Sequence, residues 1–183
     1  MGWPGWSSGR CRARSPCDTA GCGNGCGAVA EFDSGTATLE RPEDTVALGT
    51  RLGQELRAGD VVVLSGPLGA GKTVLAKGIA EAMDVDGPIT SPTYVLARVH
   101  PARAAGRPAM IHVDVYRLLD AGTVDLLGEI DSLDLDTELQ DAVVVVEWGE
   151  GLVERLAERH LDIRLERISH SDVRIATWAW VCS

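Results

Sequence analysis

The chain has 183 residues and a formal net charge of -10 at pH 7, which predicts about one globular domain that is long enough to bury a core. Its acidic excess argues against a basic surface that grips nucleic acid unaided, so we expect any role near RNA to run through partner proteins. The apolar runs are much shorter than a membrane span, and no N-terminal stretch combines a basic start with an apolar segment of secretory length. We therefore expect a cytoplasmic protein.

The first 28 residues differ in composition from the rest of the chain. They are rich in Gly, Ser, Pro and Trp, show no apolar period and hold four of the five cysteines. We expect residues 1–28 to be disordered or a non-native extension, and residues 29–183 to form the folded domain. Their cysteines lack the paired C-x2-C spacing of zinc sites, and a reducing cytoplasm disfavours disulfides.

The first half of the domain alternates between strand-like and helix-like patterns. Residues 36–40 are predicted to form an edge strand. Residues 42–57 are predicted to form an amphipathic helix that Gly59 closes, because apolar residues recur there at helical spacing. The β-branched run in residues 60–65 is typical of a buried parallel strand, and a second helix is predicted over residues 72–83.

The second half of the domain continues the alternation and ends in strands. Two strands are predicted at residues 94–100 and 110–116, followed by a short helix and an acidic loop around 123–132 and a buried strand at 142–147. Residues 152–159 are predicted to be helical, and residues 161–167 and 174–180 to form a closing hairpin. This order predicts an α/β protein with a mixed sheet and antiparallel C-terminal edge strands.

A nucleotide phosphate-binding loop lies between the strand at 60–65 and the helix at 72–83. The pattern G-x-x-x-x-G-K-[ST] is specific in this setting, and it covers Gly66, Pro67, Leu68, Gly69, Ala70, Gly71, Lys72 and Thr73. The glycines let backbone N–H groups approach phosphates, and the helix N-terminus adds positive potential. Lys72 is expected to pair with the β- and γ-phosphates and Thr73 to ligate Mg²⁺. The loop predicts a P-loop NTPase-like three-layer fold.

Two carboxylates stand at the ends of predicted strands. Asp114 ends one strand and Glu147 ends another, and ligands of parallel sheets sit outside the carboxyl ends of the strands. Either side chain could hold the metal shell or order an attacking water. The sequence leaves open which of them contacts the metal, and each could instead be a solvated strand end.

The segment Ser91-Pro92-Thr93-Tyr94 follows the phosphate loop by about twenty residues, where many such proteins place a nucleotide-sensing switch. Pro92 restricts Ser91 to extended geometry and leaves the Thr93 hydroxyl available for a phosphate or a metal-bound water. The alternative is a turn that leads into a strand. Tyr116 and Trp148, just beyond the acidic strand ends, could likewise be core aromatics.

Four motifs in series resemble one family. They are the phosphate loop, Ser91-Pro92-Thr93-Tyr94, the segment HVDVYRL at residues 112–118 and the segment VEWGE at residues 146–150. Their order and spacing over about residues 36–180 resemble the TsaE (YjeE) family, a bacterial ATPase required for threonylcarbamoyladenosine modification of tRNA. The resemblance implies ATP or ADP with Mg²⁺ as cofactors, slow hydrolysis by the free monomer, and action with a TsaD–TsaB pair that itself handles tRNA.

The resemblance also implies roles for matching residues. Lys72 and Thr73 would hold phosphate and metal, and Glu147 resembles a metal-linked carboxylate of the family. Asp114 resembles a carboxylate needed for hydrolysis, and Thr93 resembles a switch threonine. Two further residues are implied to lie near the nucleotide: Trp148, and Thr45 on the adenine side.

Two other functions fit the phosphate loop itself. A small-molecule kinase would normally carry an arginine-rich lid over the phosphates, whereas the loop at residues 100–108, with Arg103 and Arg107, is rich in Ala, Gly and Pro and is predicted to be a surface connection. A nucleotide-gated interaction protein without turnover would use Asp114 and Thr93 only to sense the bound state.

Overall fold

Strands and helices alternate along the chain in an order close to that predicted. The computed structural model describes residues 34–90, 97–115, 141–148, 157, 159–169 and 171–182. These residues form β1 Ser34–Leu39, α1 Pro42–Gly53, β2 Val61–Ser65, α2 Lys72–Met83, β3 Ala97–His100, β4 Ala109–Asp114, β5 Ala142–Glu147, β6 Arg159–Arg167 and β7 Arg174–Cys182. The predictions for residues 1–28, 91–94, 116, 123–132 and 152–156 lie outside the described residues.

The strands form one mixed sheet in the order β1-β7-β6-β2-β5-β4-β3. The four central strands β6, β2, β5 and β4 are parallel, and β6 and β7 form the antiparallel C-terminal hairpin that the sequence predicts. The sheet is antiparallel at both ends, because β3 also runs against β4. The α/β prediction is confirmed.

Both faces of the sheet are buried, as a three-layer fold requires. On one face, α1 and α2 pack against alternate strand residues such as Leu64, Met110 and Val145. On the other face, Val63, Ile111 and their neighbours form a second buried cluster. Burial on both faces explains why β2 and β5 are almost continuous runs of β-branched residues.

Helix α1 is shorter than predicted. It begins at Pro42 as expected but ends at Gly53, with Gln54 as its C-cap, so the prediction of residues 42–57 is wrong at its C-terminal end. The chain turns back there because the Gln54 and Glu55 N–H groups donate to carbonyls of the last helical turn. The next apolar residue, Leu56, is buried from a loop, and Gly59 lies in a later turn with a φ of 85°.

The predicted helix at 152–159 is wrong at Arg159, which is the first residue of β6 and pairs with Cys182. The Arg159 guanidinium lies 3.9 Å from the centroid of the Trp180 ring, so pairing with β7 and stacking on this ring extend the strand. β7 ends at Cys182, which is disulfide-bonded; the expectation about disulfides concerned the cysteines of residues 1–28, which lie outside the described residues. Within the described part of the chain, no helix is long and apolar enough to cross a membrane.

Helices α1 and α2 approach each other so closely at two glycines that their backbones are in contact. A Cβ atom at Gly78 would lie 2.2 Å from the Val46 carbonyl oxygen, and one at Gly49 would lie 2.3 Å from the Leu75 carbonyl oxygen. This crossing fixes the start of α1 against the start of α2, where the phosphate loop lies.

Gly78→Ala is therefore expected to lower the free energy of unfolding by about 1–3 kcal/mol, because the two helices must separate to admit the methyl group. Urea unfolding measures the loss. Lys77→Ala is the control, since Lys77 is exposed on the same helix and should change stability by less than about 0.5 kcal/mol. A Gly78→Ala protein as stable as the wild type would contradict the packing described here.

His100, at the end of β3, is buried with one ring nitrogen unpaired. Its Nδ1 donates a hydrogen bond to the Asp86 carbonyl oxygen at 3.0 Å, and its Nε2 has no hydrogen-bond partner in the described ranges. Burial lowers the pKa of His100 below its ordinary value of 6.5. The hydrogen bond to Asp86 raises this pKa, and the charges of His112 and Arg98 lower it.

A lowered pKa makes the fold sensitive to acid. The unfolded chain takes up a proton at His100 near pH 6.5, whereas the folded chain takes it up only at lower pH, so the free energy of unfolding should fall as pH drops below 6.5. His100→Asn keeps a donor for Asp86 but does not titrate, so its stability should fall less over the same range. Urea unfolding from about pH 7 to about pH 5 compares the two proteins. Equal losses of stability in the two proteins would contradict the assignment of this acid sensitivity to His100.

Candidate functional site

The phosphate loop joins the buried strand β2 to α2, as predicted. Gly69 and Gly71 have φ values of 76° and 108°, which residues with a side chain rarely adopt. Glycine is required at position 66 because the loop passes close to β6: a Cβ atom there would lie 2.2 Å from the Leu165 carbonyl oxygen. In the described ranges no side-chain hydrogen bond caps the N-terminus of α2, which directly follows the loop.

Lys72, the first residue of α2, folds back over the loop that precedes it. Its Nζ atom donates to the Gly66 carbonyl oxygen at 2.8 Å and to the Pro67 carbonyl oxygen at 3.1 Å. The ammonium also lies 3.8 Å from the centroid of the Trp148 ring. These contacts place the positive charge at the mouth of the loop although the residue is only 5% exposed.

Trp148 occupies the turn directly after β5. Its φ is 65°, a conformation that costs a residue with a side chain about 1–3 kcal/mol. The Trp148 N–H donates to the Leu64 carbonyl oxygen at 3.1 Å, which fixes this turn to β2. The ring is half-buried: it packs against the buried cluster on the second face of the sheet, as a core aromatic would, and it also lies over Lys72 beside the loop.

Glu147, the last residue of β5, is hydrogen-bonded to the phosphate-loop helix. The Thr73 hydroxyl donates to its Oε1 at 2.9 Å and lies 3.2 Å from its Oε2. The His112 ring of β4 contacts Oε1 through Nε2 at 3.0 Å. Glu147 and His112 are both almost fully buried, so these contacts replace the water that a carboxylate would otherwise bind.

Asp114 lies beside Glu147 at the same end of the sheet. The two are direct register partners on the parallel strands β4 and β5. Because residues alternate between faces, His112 and Asp114 point to the same side as Glu147, which is the side that α1 and α2 cover. The expectation that both carboxylates sit at the carboxyl ends of strands is confirmed, and the structure adds that the two strands are neighbours.

A cavity of about 560 Å³ opens between the phosphate loop, α1 and the strand ends. It is lined by Pro42, Thr45, Leu68, Gly69, Gly71, Lys72, Thr73, Val74, Asp114, Glu147, Trp148 and Arg174. Thr45 is buried beside the loop, and a Cβ atom at Gly71 would lie 3.8 Å from its Cγ2. Thr93, the predicted switch residue, lies outside the described residues.

Sequence reasoning missed two polar residues of this site. His112 lies within a recognised motif, but the sequence does not reveal that its ring reaches Glu147 across a strand pair. Arg174, the first residue of β7, lines the cavity on the side of Pro42 and Thr45 and had no motif to mark it. A basic residue at a strand terminus after a turn is common, so no sequence signal could have found it.

Oxygen atoms that suit a hard cation surround one corner of the cavity. The Thr73 hydroxyl donates its hydrogen to Glu147, so its lone pairs remain for a ligand, and the two carboxylates add anionic oxygens. In the described residues no three His, Cys, Asp or Glu side chains converge on a site that could hold a metal without other ligands.

The parallel core, the loop and the strand-end carboxylates define a P-loop NTPase-like α/β protein. Comparison with known proteins identifies the family within this class. The model of the family "Threonylcarbamoyl adenosine biosynthesis protein TsaE" matches residues 39–175, and the chain belongs to this family.

Curated relatives extend over most of the chain. The protein named "tRNA threonylcarbamoyladenosine biosynthesis protein TsaE" from Mycobacterium tuberculosis H37Rv is 77% identical over 146 residues, which are 80% of this chain and 87% of the relative. The protein of the same name from Mycobacterium leprae is 77% identical over 157 residues, or 85% and 98% of the two chains. The crystal structure of Bacillus subtilis YdiB matches with a TM-score of 0.59 and 27% identity, over 82% of this chain and 86% of that one.

Proposed function

We propose that the chain binds ATP with Mg²⁺, hydrolyses it, and thereby serves the threonylcarbamoyladenosine modification of tRNAs that read codons beginning with A. The single observation that carries the ATPase part is the hydrogen bond of 2.9 Å from Thr73 of the phosphate loop to Glu147 of β5. It joins the loop to a strand-end carboxylate, and Lys72 and Asp114 line the same cavity.

In this proposal the loop and the start of α2 bind the phosphates. The start of α2, the loop backbone at Gly69, Ala70 and Gly71, and the Lys72 ammonium would supply donors and positive charge. Thr45, Trp148 and Arg174 line the rest of the cavity, where the nucleoside would lie. The sequence alone does not distinguish ATP from GTP, and ATP follows from the family.

Mg²⁺ fits the oxygens that the site offers. Such ions usually take one or two carboxylates, substrate phosphates and waters as ligands. Thr73 and Glu147 would hold the ion, which neutralises charge on the transferred phosphate. Asp114 would orient the attacking water, because its carboxylate lies at the same sheet edge as Glu147 but is not the carboxylate that Thr73 engages.

The pathway part of the proposal follows from family membership. Relatives that are 77% identical are named for tRNA threonylcarbamoyladenosine biosynthesis. We propose that the chain is a cytoplasmic monomer when free and acts with TsaD–TsaB-like proteins, which carry out the transfer and contact the tRNA. The net charge of -10 favours a protein partner over direct RNA binding.

The loop that joins β3 to β4 disfavours a small-molecule kinase. Arg103 is exposed and pairs with Asp84 and Asp86 at 3.9 and 3.5 Å, and Arg107 donates to the Ala82 carbonyl oxygen at 3.3 Å. Both arginines of this loop thus bind the far end of α2, and neither lines the cavity. They do not form the lid that a kinase of this class would place over the phosphates.

Phosphate release from ATP, measured for the chain alone and with TsaD and TsaB added, tests the proposal. We expect slow Mg²⁺-dependent release that the partners increase. Transfer of phosphate to an added metabolite would favour a kinase. Nucleotide binding without any release, with or without partners, would favour a nucleotide-gated interaction protein.

A further inference from the structure

His112 contacts the site without lining its cavity. Its side chain is 1% exposed and its Nε2 lies 3.0 Å from Glu147 Oε1. An ionised carboxylate can only accept, so Nε2 carries a proton and donates it. The other ring nitrogen, Nδ1, has no hydrogen-bond partner in the part of the chain that the structure describes. Among the described residues, the bond to Glu147 is therefore the only hydrogen bond of this ring, which is costly to bury without partners.

We propose that His112 is a positioning residue that holds the Glu147 carboxylate in the orientation required to bind Mg²⁺ with the nucleotide. The proposal rests on the proposed function. Glu147 has three side-chain torsions and must keep one orientation to serve a metal with strict octahedral geometry. Groups that hydrogen-bond to a metal ligand commonly fix its orientation in this way.

The two donors to Glu147 differ in what nucleotide binding does to them. Thr73 stands in the first turn of α2, and its oxygen would become a metal ligand itself. His112 stands inside β4, which is paired to β5 along six residues and is separated by β5 from β2, the strand that leads into the loop. The strand pair thus supplies a donor that stays in place, and this donor holds Oε1, the same oxygen that Thr73 approaches most closely.

The test compares two amides at position 112. The nitrogen of a glutamine side chain reaches the position of histidine Nε2, whereas that of asparagine reaches only the position of Nδ1. We expect His112→Asn to weaken Mn²⁺ binding to the ADP-loaded protein by about tenfold or more. His112→Gln should retain most of the wild-type Mn²⁺ affinity. Mn²⁺ affinity is read from the electron paramagnetic resonance signal of the free ion. ADP affinity in the presence of EDTA should be unchanged in both variants.

His100→Asn is the matched control, because His100 is equally buried on the neighbouring strand but bonds to Asp86 instead of Glu147. It should leave Mn²⁺ affinity unchanged. Wild-type Mn²⁺ affinity in His112→Asn would overturn the proposal, and so would an equal loss in His112→Gln, which would mean that only packing matters. A wild-type protein that binds neither ADP nor Mn²⁺-ADP would instead refute the proposed function.

Nitrogen-15 spectra of the histidine rings give a second test, in which the decisive signal is read on the wild-type protein. The chain has four histidines, so the ring signals are few. The wild-type His112 ring, assigned by its absence in His112→Gln, is expected to carry a proton on Nε2 with and without MgADP. A ring protonated only on Nδ1 would overturn the proposal.

Discussion

Replacing Lys72 by alanine is expected to weaken MgATP binding by about 10- to 100-fold, the value of one or two charge-assisted hydrogen bonds. The rate of hydrolysis should fall by about 100- to 1,000-fold, because positive charge opposite the transferred phosphate acts most strongly in the transition state. The Lys72 ammonium is fixed by two loop carbonyls at 2.8 and 3.1 Å, so it stands ready before the nucleotide arrives. Calorimetric titration and phosphate release measure the two effects.

Two variants show whether the loss comes from this position. Lys77, the other lysine of the chain, is exposed five residues further along α2, and Lys77→Ala should behave as wild type. Lys72→Arg keeps the charge but should not restore the rate, because a planar guanidinium does not fit where a compact ammonium lies between two carbonyls. Unchanged hydrolysis in Lys72→Ala would show that the loop is not the site.

Replacing Asp114 by asparagine is expected to lower the rate of hydrolysis by about 100- to 10,000-fold, as for loss of a group that orients and activates water. MgATP affinity should stay within a few-fold of wild type, because the proposal gives Asp114 no contact with the phosphates or with the loop. Asparagine has the same shape, so the buried strand end should keep its packing.

Glu147→Gln is the matched variant for Asp114→Asn, since the two carboxylates are register partners. It should raise the Mg²⁺ concentration needed for half-maximal activity, whereas Asp114→Asn should lower kcat at every Mg²⁺ concentration. Titrations of phosphate release with Mg²⁺ separate the two roles. A shifted Mg²⁺ requirement in Asp114→Asn, with none in Glu147→Gln, would mean that the roles are exchanged.

Local patterns were sufficient to predict the strand and the helix on either side of the Gly66–Thr73 loop. A buried β-branched run, a glycine-rich loop and an apolar helical repeat are all contiguous in sequence, so β2, the loop and α2 were predicted almost to the residue. The ends of helices and strands were less predictable where contacts with other parts of the fold determine them. Helix α1 stops at Gly53, where a Cβ atom would lie 2.9 Å from the Ile79 carbonyl oxygen of α2.

Long-range pairing explains what the sequence could not predict. The N-terminal β1 pairs with the C-terminal β7, so β6 and β7 lie between β1 and β2 in the sheet. This strand order places Arg174, the first residue of β7, at the cavity. The contact between His112 and Glu147 likewise depends on the register of β4 with β5, which single-strand patterns do not encode. Motif resemblance named Glu147 and Asp114, and the pairing shows why they stand side by side.

The threonylcarbamoyladenosine content of tRNA tests the central claim most directly. Cells depleted of their own TsaE-family protein would be supplied with this chain, with Lys72→Ala or with Lys77→Ala, and their tRNA analysed by mass spectrometry. We predict that the wild-type chain and Lys77→Ala restore the modified nucleoside and that Lys72→Ala does not. Modification that stays absent with the wild-type chain, or that Lys72→Ala restores fully, would contradict the account.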